Sequence, residues 1–286
     1  MNKTFLTVLI MLALIAVGCG SGGGKTPVTV GGQHLVDPSG NWKMSFTDSN
    51  NNLFILSGLY SQSGPVVTGL SFSEVGNLAP GFQCLVQRDI SMANGLVQNT
   101  NQFSGDLSGN FGTIHFSSTL NDPGTHASGT YTVTPPANGN CLGIALTGTF
   151  TGDEVPSVTG NWTGTINCVA DCPVGATTGT ITFNLTQHDD TGVVNGSYTI
   201  TGLPGLSNGS LVPNTIPENN FISGANIEEQ MLDANGTTLT LAGGPFNSGF
   251  QGGGAFQDNG LGLDRSMACF LIVQGSQAVY TVNANH

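Results

Sequence analysis

Apolar and polar positions alternate along most of this chain. Ile181, Phe183 and Leu185 alternate with Thr182, Asn184 and Thr186, and Val194, Tyr198 and Ile200 with Asn195, Ser197 and Thr199. The earlier half reads the same way. Ile114, Phe116 and Leu120 stand against Thr113, His115, Ser117 and Thr119, and Ala127, Tyr131 and Val133 against Ser128, Thr130, Thr132 and Thr134. Leu142, Ile144, Leu146 and Phe150 share one side, as do Trp42, Met44 and Phe46, and Trp162 and Ile166. A period of two with one apolar face predicts antiparallel strands with one face on a core and the other in water. Six Asn-Gly pairs, beginning at Asn94, Asn138, Asn195, Asn208, Asn235 and Asn259, supply tight-turn chemistry, because both residues tolerate positive φ. No helical period persists over three turns; Ala225 to Ala234 is the one stretch where a short helix is expected.

The strands fall into two units. Ser39-Gly40-Asn41-Trp42 recurs as Thr159-Gly160-Asn161-Trp162, and these hold both tryptophans of the chain. A second echo follows each: Gln62 precedes Ser-Gly-Pro-Val-Val-Thr-Gly, and Gln187 precedes a polar turn and Thr191-Gly-Val-Val-Asn-Gly. This predicts a duplicated β unit, 39–158 and 159–286, joined at the polar, proline-containing stretch 153–157. Each unit has room for about eight or nine strands, which suits a closed barrel or a sandwich.

Composition narrows the function classes. The 286 residues include 43 Gly and 13 Pro, only 8% are charged, and the net charge is −12. Five basic residues leave no surface to hold phosphates, so nucleic acid is not an expected partner. A transmembrane barrel calls for aromatic girdles at both interfaces, and two Trp and four Tyr are too few for two barrels.

The first residues carry an address. Met1-Asn2-Lys3-Thr4 is a short basic start, and Phe5 to Val17 is an apolar run of signal-peptide length. It ends in Ala16-Val17-Gly18-Cys19, which resembles the bacterial lipobox, with Ala16 where that motif prefers Leu. The resemblance implies cleavage of the signal peptide 1–18, a diacylglycerol on the Cys19 thiol and acylation of the new amino terminus. Gly20, in place of Asp, implies sorting to the outer membrane where a cell has two. Residues 19–38, opening Gly20-Ser-Gly-Gly-Gly-Lys25, are expected to be the lipidated cysteine and a loose tether. With so acidic a surface, the expected membrane contact is through the lipid alone.

Gly40-Asn41-Trp42 and Gly160-Asn161-Trp162 resemble the Gly-x-Trp signature of lipocalin-type barrels, in which the Trp closes one barrel end. The alternative is that Trp42 and Trp162 are core residues near a strand start. In style the body is similar to Gly/Thr-rich bacterial lipoproteins with tandem β units. The expected fold class is therefore all-β, with two tandem antiparallel barrels or sandwiches.

Export permits disulfides. Cys84 and Cys141 are alone in the first unit and make its natural pair. Cys168-Val-Ala-Asp-Cys172 looks like a turn clipped by its own cysteines. Cys269, in the apolar run Met267–Val273, is then a free buried thiol, unless it pairs with Cys168 or Cys172.

Catalytic chemistry is sparse. The histidines His34, His115, His126, His188 and His286 are scattered, no serine has a nucleophile-elbow context, and no metal-ligand spacing occurs. Asp48-Ser-Asn-Asn-Asn52 carries alternating oxygens but lacks the glycine and distal Glu of a calcium loop, so a turn is expected. Carboxylates for a hydrolase are available at Glu74, Asp106, Glu228, Glu229, Asp233 and Asp264. No catalytic set, cofactor or metal is expected. The reading is a lipid-anchored cell-envelope protein that binds a protein, a glycan or a small apolar ligand without catalysis. The alternatives are a carboxylate-dependent envelope hydrolase, glycan-acting for example, and a carrier of a small apolar ligand in a barrel.

Overall fold

The computed structural model describes residues 28–51, 53–75, 90–109, 112–135, 146–175, 177–188, 192–212, 221–223, 226–243, 260–261, 263–276 and 278–286. Every regular element among them is a strand. An N-terminal hairpin, β1 (Val28–Val30) and β2 (Gln33–Leu35), precedes a first ring of β3 (Gly40–Asp48), β4 (Leu53–Ser63), β5 (Val66–Val75), β6 (Ser91–Gln98), β7 (Gln102–Gly109), β8 (Gly112–Leu120), β9 (His126–Thr134) and β10 (Leu146–Val155). Each pairs antiparallel with its chain neighbour, and β10 returns to β3. The second ring uses β11 (Gly160–Ala170), β12 (Thr178–Gln187), β13 (Val194–Thr201), β14 (Gly209–Leu211), β15 (Phe221–Ser223), β16 (Asn226–Asp233), β17 (Thr238–Gly243), β18 (Gly260–Leu261), β19 (Ser266–Val273) and β20 (Val279–Asn285). Here β14 pairs with β16 and β20 with β11, so this ring closes as well; β15 and β18 add short pairings to β16 and β19. The protein is all-β with two tandem closed antiparallel barrels.

The alternation in sequence is what fills them. Inward positions of the first ring bring Trp42, Phe46, Phe54, Tyr60, Phe103, Phe116, Tyr131 and Phe150 into one core. Phe46 stacks on Phe54 and Phe150 at centroid distances of 4.6 and 5.3 Å, with Tyr131 edge-on at 5.1 Å. The second core gathers Trp162, Ile166, Ile181, Phe183, Tyr198, Leu241, Leu271, Tyr280 and Val282. Outward positions such as Thr130, Thr132, Thr147 and Thr149 are exposed. Closure pairs the end strands of each ring, β10 with β3 and β14 with β16, and so covers edges to which other chains could otherwise pair.

Three expectations change. Ala225 to Ala234 is no helix: Asn226–Asp233 is β16, paired along one edge with β14 and β15 and along the other with β17. A helix so short is marginal alone, whereas this strand completes a ring. Asn-Gly pairs are also not all turns. Asn235-Gly236 makes the β16–β17 hairpin, with Gly236 at φ 83°. Asn94, at φ 52°, instead sits at the register shift of β6, and Asn195-Gly196 lies in the β12–β13 ladder, where a Cβ on Gly196 would strike the Asn184 carbonyl. Asn138 and Asn259 fall outside the described residues.

The third change concerns the stretch expected as a tether up to 38. From Val28 onward it is structured. Leu35 is buried in the first core and the Val36 amide donates to the Thr100 carbonyl at 2.7 Å. The same construction recurs at the interval separating the two tryptophans: Val155 and Val158 are buried in the second core. Each barrel is thus plugged by the segment just before its first strand. Val155 ends β10 of the first barrel and fills the second, so the stretch 153–157 is a shared joint and not a loose link.

Candidate functional site

The repeated tryptophan motif is built identically twice. Trp42 Nε1 donates to the Pro38 carbonyl at 2.6 Å and Trp162 Nε1 to the Val158 carbonyl at 2.7 Å. Gly40 and Gly160 take φ of 123° and 134°, a region that L side chains rarely adopt, and so they turn the chain into each barrel. The Gln62 amide donates to Ser39 Oγ and the Gln187 amide to Thr159 Oγ1, each at 2.9 Å. Both tryptophans are buried in their cores, at 0% and 1% exposure, so they serve as core residues at the plugged ends.

One substitution breaks this symmetry. Val158 has an N–H, which donates to Gln187 Oε1 at 3.1 Å. Its counterpart Pro38 has none, and Gln62 Oε1 is buried without a partner. Gln187 completes its set across the molecule, exchanging two hydrogen bonds of 3.1 Å with the Asn41 side chain of the first barrel. Both amides are more than nine-tenths buried. With β15 packed on β3, β4 and β5, this amide pair fixes one barrel against the other. Asn161, the counterpart of Asn41, is exposed beside Asn184 and Ser197 in a shallow polar groove of about 310 Å³.

Among the described residues, the candidate carboxylates are each held by local partners or buried singly. Asp106 accepts from Asn94 Nδ2 and meets His115 Nδ1, both at 2.7 Å. Partial burial raises its pKa, but those two hydrogen bonds outweigh it and hold the carboxyl below its ordinary range. Asp233 and Asp264 cap their own turns, Asp233 through the Asn235 and Thr237 amides and Asp264 through Ser266. Asp48 does the same for Asn50, giving the turn expected there. The side chains of Glu74 and Glu228 are outside the described residues.

Glu229 is different. It points inward from β16 at 2% exposure, and both carboxylate oxygens are buried with no hydrogen-bond partner. Desolvation pushes its pKa to about 9, so the carboxyl is protonated at neutral pH. The sequence offers Glu229 as a candidate carboxylate but places it in an expected short helix; its place on a strand and its isolation come from the structure.

The histidines stay apart. His126 meets Asp153 at 2.7 Å on the outer wall, His34 meets Thr29 in the hairpin, and the His188 amide helps close its turn. His286 stands edge-on to Trp162 at 5.4 Å and meets the Thr159 carbonyl. Among the described residues, no three His, Cys, Asp or Glu side chains are grouped to hold a metal. Cys168 and Cys172 form a disulfide, and Cys269 is a free buried thiol whose pKa burial pushes up, which makes it inert. Cys19, Cys84 and Cys141 lie outside the described residues. No helix among the described residues is long and apolar enough to cross a membrane.

No protein-family model matches the chain, and no curated protein matches it. Among solved structures it is similar to kievitone hydratase from Nectria haematococca, at 11% identity over 87% of this chain and 89% of that one, with a TM-score of 0.22. It is also similar to a DUF3598-family protein of unknown function from Nostoc punctiforme, at 11% identity over 87% and 96%, with a TM-score of 0.24.

Proposed function

We propose that this chain is a lipid-anchored protein of the bacterial cell envelope, attached through Cys19, and that its barrels act as a non-catalytic binding module. The anchor rests on the signal-peptide pattern ending Ala16-Val17-Gly18-Cys19. The observation that carries the rest is the dispersal of the acidic side chains. Asp106, Asp233 and Asp264 are each tied to partners close by, and Glu229 sits alone. Glycoside hydrolysis needs two carboxyls about 5–9 Å apart around one cleft. None of these described candidates is seen facing a second carboxyl in this way, which supports a module that works by holding something.

Membrane fractionation of the full chain tests the anchor. Cys19→Ala should move the protein from the detergent-extractable fraction to the soluble one, since an acidic, hydroxyl-rich exterior offers no other attachment. A mutant that stays with the membrane overturns the anchor. Hydrolysis of envelope glycan by the purified protein, abolished by an Asp or Glu substitution, overturns the non-catalytic reading.

A further inference from the structure

The asparagine of the Gly-Asn-Trp motif meets opposite surroundings in the two barrels. Asn41 is buried at the joint and exchanges two hydrogen bonds of 3.1 Å with the Gln187 carboxamide. The wall it belongs to, β3, β4 and β5, is the one on which β15 packs. Asn161 stands at the same place on β11, but the outer face of β11, β12 and β13 is open to solvent. A position that holds an amide in one barrel is left available in the other.

The open wall is a trough. The antiparallel registers align Asn161, Asn184 and Ser197 in one rank across the three strands, and Thr163, Thr182 and Thr199 in a second. All six are exposed, and among the described residues none of their side chains hydrogen-bonds within the protein. Between the ranks runs the backbone of Trp162, Phe183 and Tyr198, whose rings belong to the core. Strand geometry sets the ranks about 7 Å apart, with steps of about 5 Å along each. Together they bound the shallow groove of about 310 Å³. The next rank is different, because there Thr180 Oγ1 and Thr201 Oγ1 bond each other at 2.6 Å.

The chemistry of the trough selects its occupant. No charged residue occurs in β11, β12 or β13, although the chain carries a net charge of −12. A polyanion is repelled by the molecule as a whole, and a cation finds nothing here to pair with. An apolar ligand finds no apolar surface, since the rings beneath are buried. The backbones of β11 and β12 are paired along both edges, so an added peptide strand has no edge to extend. What remains is a set of amides and hydroxyls, each both donor and acceptor, which suits a neutral polyhydroxyl ligand. We propose that this outer wall of the second barrel binds a neutral glycan bearing acetamido groups. Its hydroxyls lie along the Thr and Ser side chains and its amides at Asn161 and Asn184, as Gln187 lies at Asn41. This inference rests on the binding half of the proposed function and is independent of the anchor.

The experiment titrates the full chain carrying Cys19→Ala, purified without detergent, with chitotetraose, a neutral oligomer of N-acetylglucosamine. Cellotetraose, the same backbone without acetamido groups, is the comparison, and calorimetry is the readout. Chitotetraose should bind saturably and about tenfold more tightly than cellotetraose. Asn161→Ala and Asn184→Ala should each weaken it about threefold to tenfold, the loss of one or two exposed hydrogen bonds. Thr149→Ala, at an exposed threonine of the first barrel, should leave it unchanged. Near-UV circular dichroism verifies that each variant is folded. No saturable binding of chitotetraose by the folded protein, equal affinity for cellotetraose, or full affinity in both Asn variants each overturns the proposal. Shortened chitotetraose after the titration would instead overturn the non-catalytic reading and leave the Asn161 and Asn184 effects to decide the site.

Discussion

Glu229 should make the second barrel less stable as the pH rises, and replacing it should remove that dependence. In the unfolded chain a glutamate titrates near its ordinary value, about 4.3. In the barrel, burial holds it to about 9. Below the unfolded value both states are protonated and the group costs nothing electrostatic. Between the two values the unfolded chain gives up its proton and the folded one does not, so stability falls by about 1.4 kcal/mol per pH unit. At pH 7 the loss relative to pH 4 is on the order of 3 kcal/mol, and it levels off above the folded value. Glu229→Gln keeps the shape and cannot ionise. Urea denaturation of both proteins from pH 4 to 8 should show the variant gaining on the wild type by about 5 kcal/mol across that range, with similar m-values. Other carboxylates, Asp106 and Asp233 among them, contribute equally to both and cancel. A stability difference that stays flat between pH 4.5 and 8 would refute the premise that Glu229 is buried, neutral and unpaired.

The inter-barrel amide pair gives a second test: Asn41→Ala and Gln187→Ala should each cost about 1–3 kcal/mol by orphaning the other amide, and a double-mutant cycle should return a coupling near 1 kcal/mol or more; strict additivity sinks the latch. A fragment beginning at 153 should melt well above one beginning at 159, because Val155 and Val158 contribute about 1.5–3 kcal/mol each when fully buried; calorimetry showing equal melting would refute the plug. Cys84 and Cys141 should be found linked in non-reduced peptide maps, and reduction should cost the first barrel up to about 4 kcal/mol. A Cys84–Cys269 peptide would contradict that pairing. Opening the Cys168–Cys172 clip should cost the second barrel about 2 kcal/mol or less, measured by urea denaturation of a double Ser variant, with a larger loss counting against a merely local role.

The alternation of Thr and Ser with Ile, Phe, Leu and Tyr determined that this is an all-β chain, because a strand's two faces are written one residue apart. The paired Gly-Asn-Trp motifs determined that the unit occurs twice, and the Gln62 and Gln187 echoes proved to be hydrogen-bonded parts of that motif. Closure was not legible: a strand has the same pattern in a barrel and a sandwich, and only the pairing of β10 with β3 and of β20 with β11 decides between them. Nor were the barrel ends, since Leu35-Val36 and Val155 are one or two apolar residues in polar surroundings, and their value as plugs comes from a ring assembled around them. The helix expected at Ala225–Ala234 failed for the same reason, as ring closure outweighs weak local preference. Whether a Glu on an alternating strand faces water, a partner or an empty apolar wall depends on neighbours far along the chain. The sequence named Glu229 only as one carboxylate among several; the strands on either side of it left its carboxyl alone.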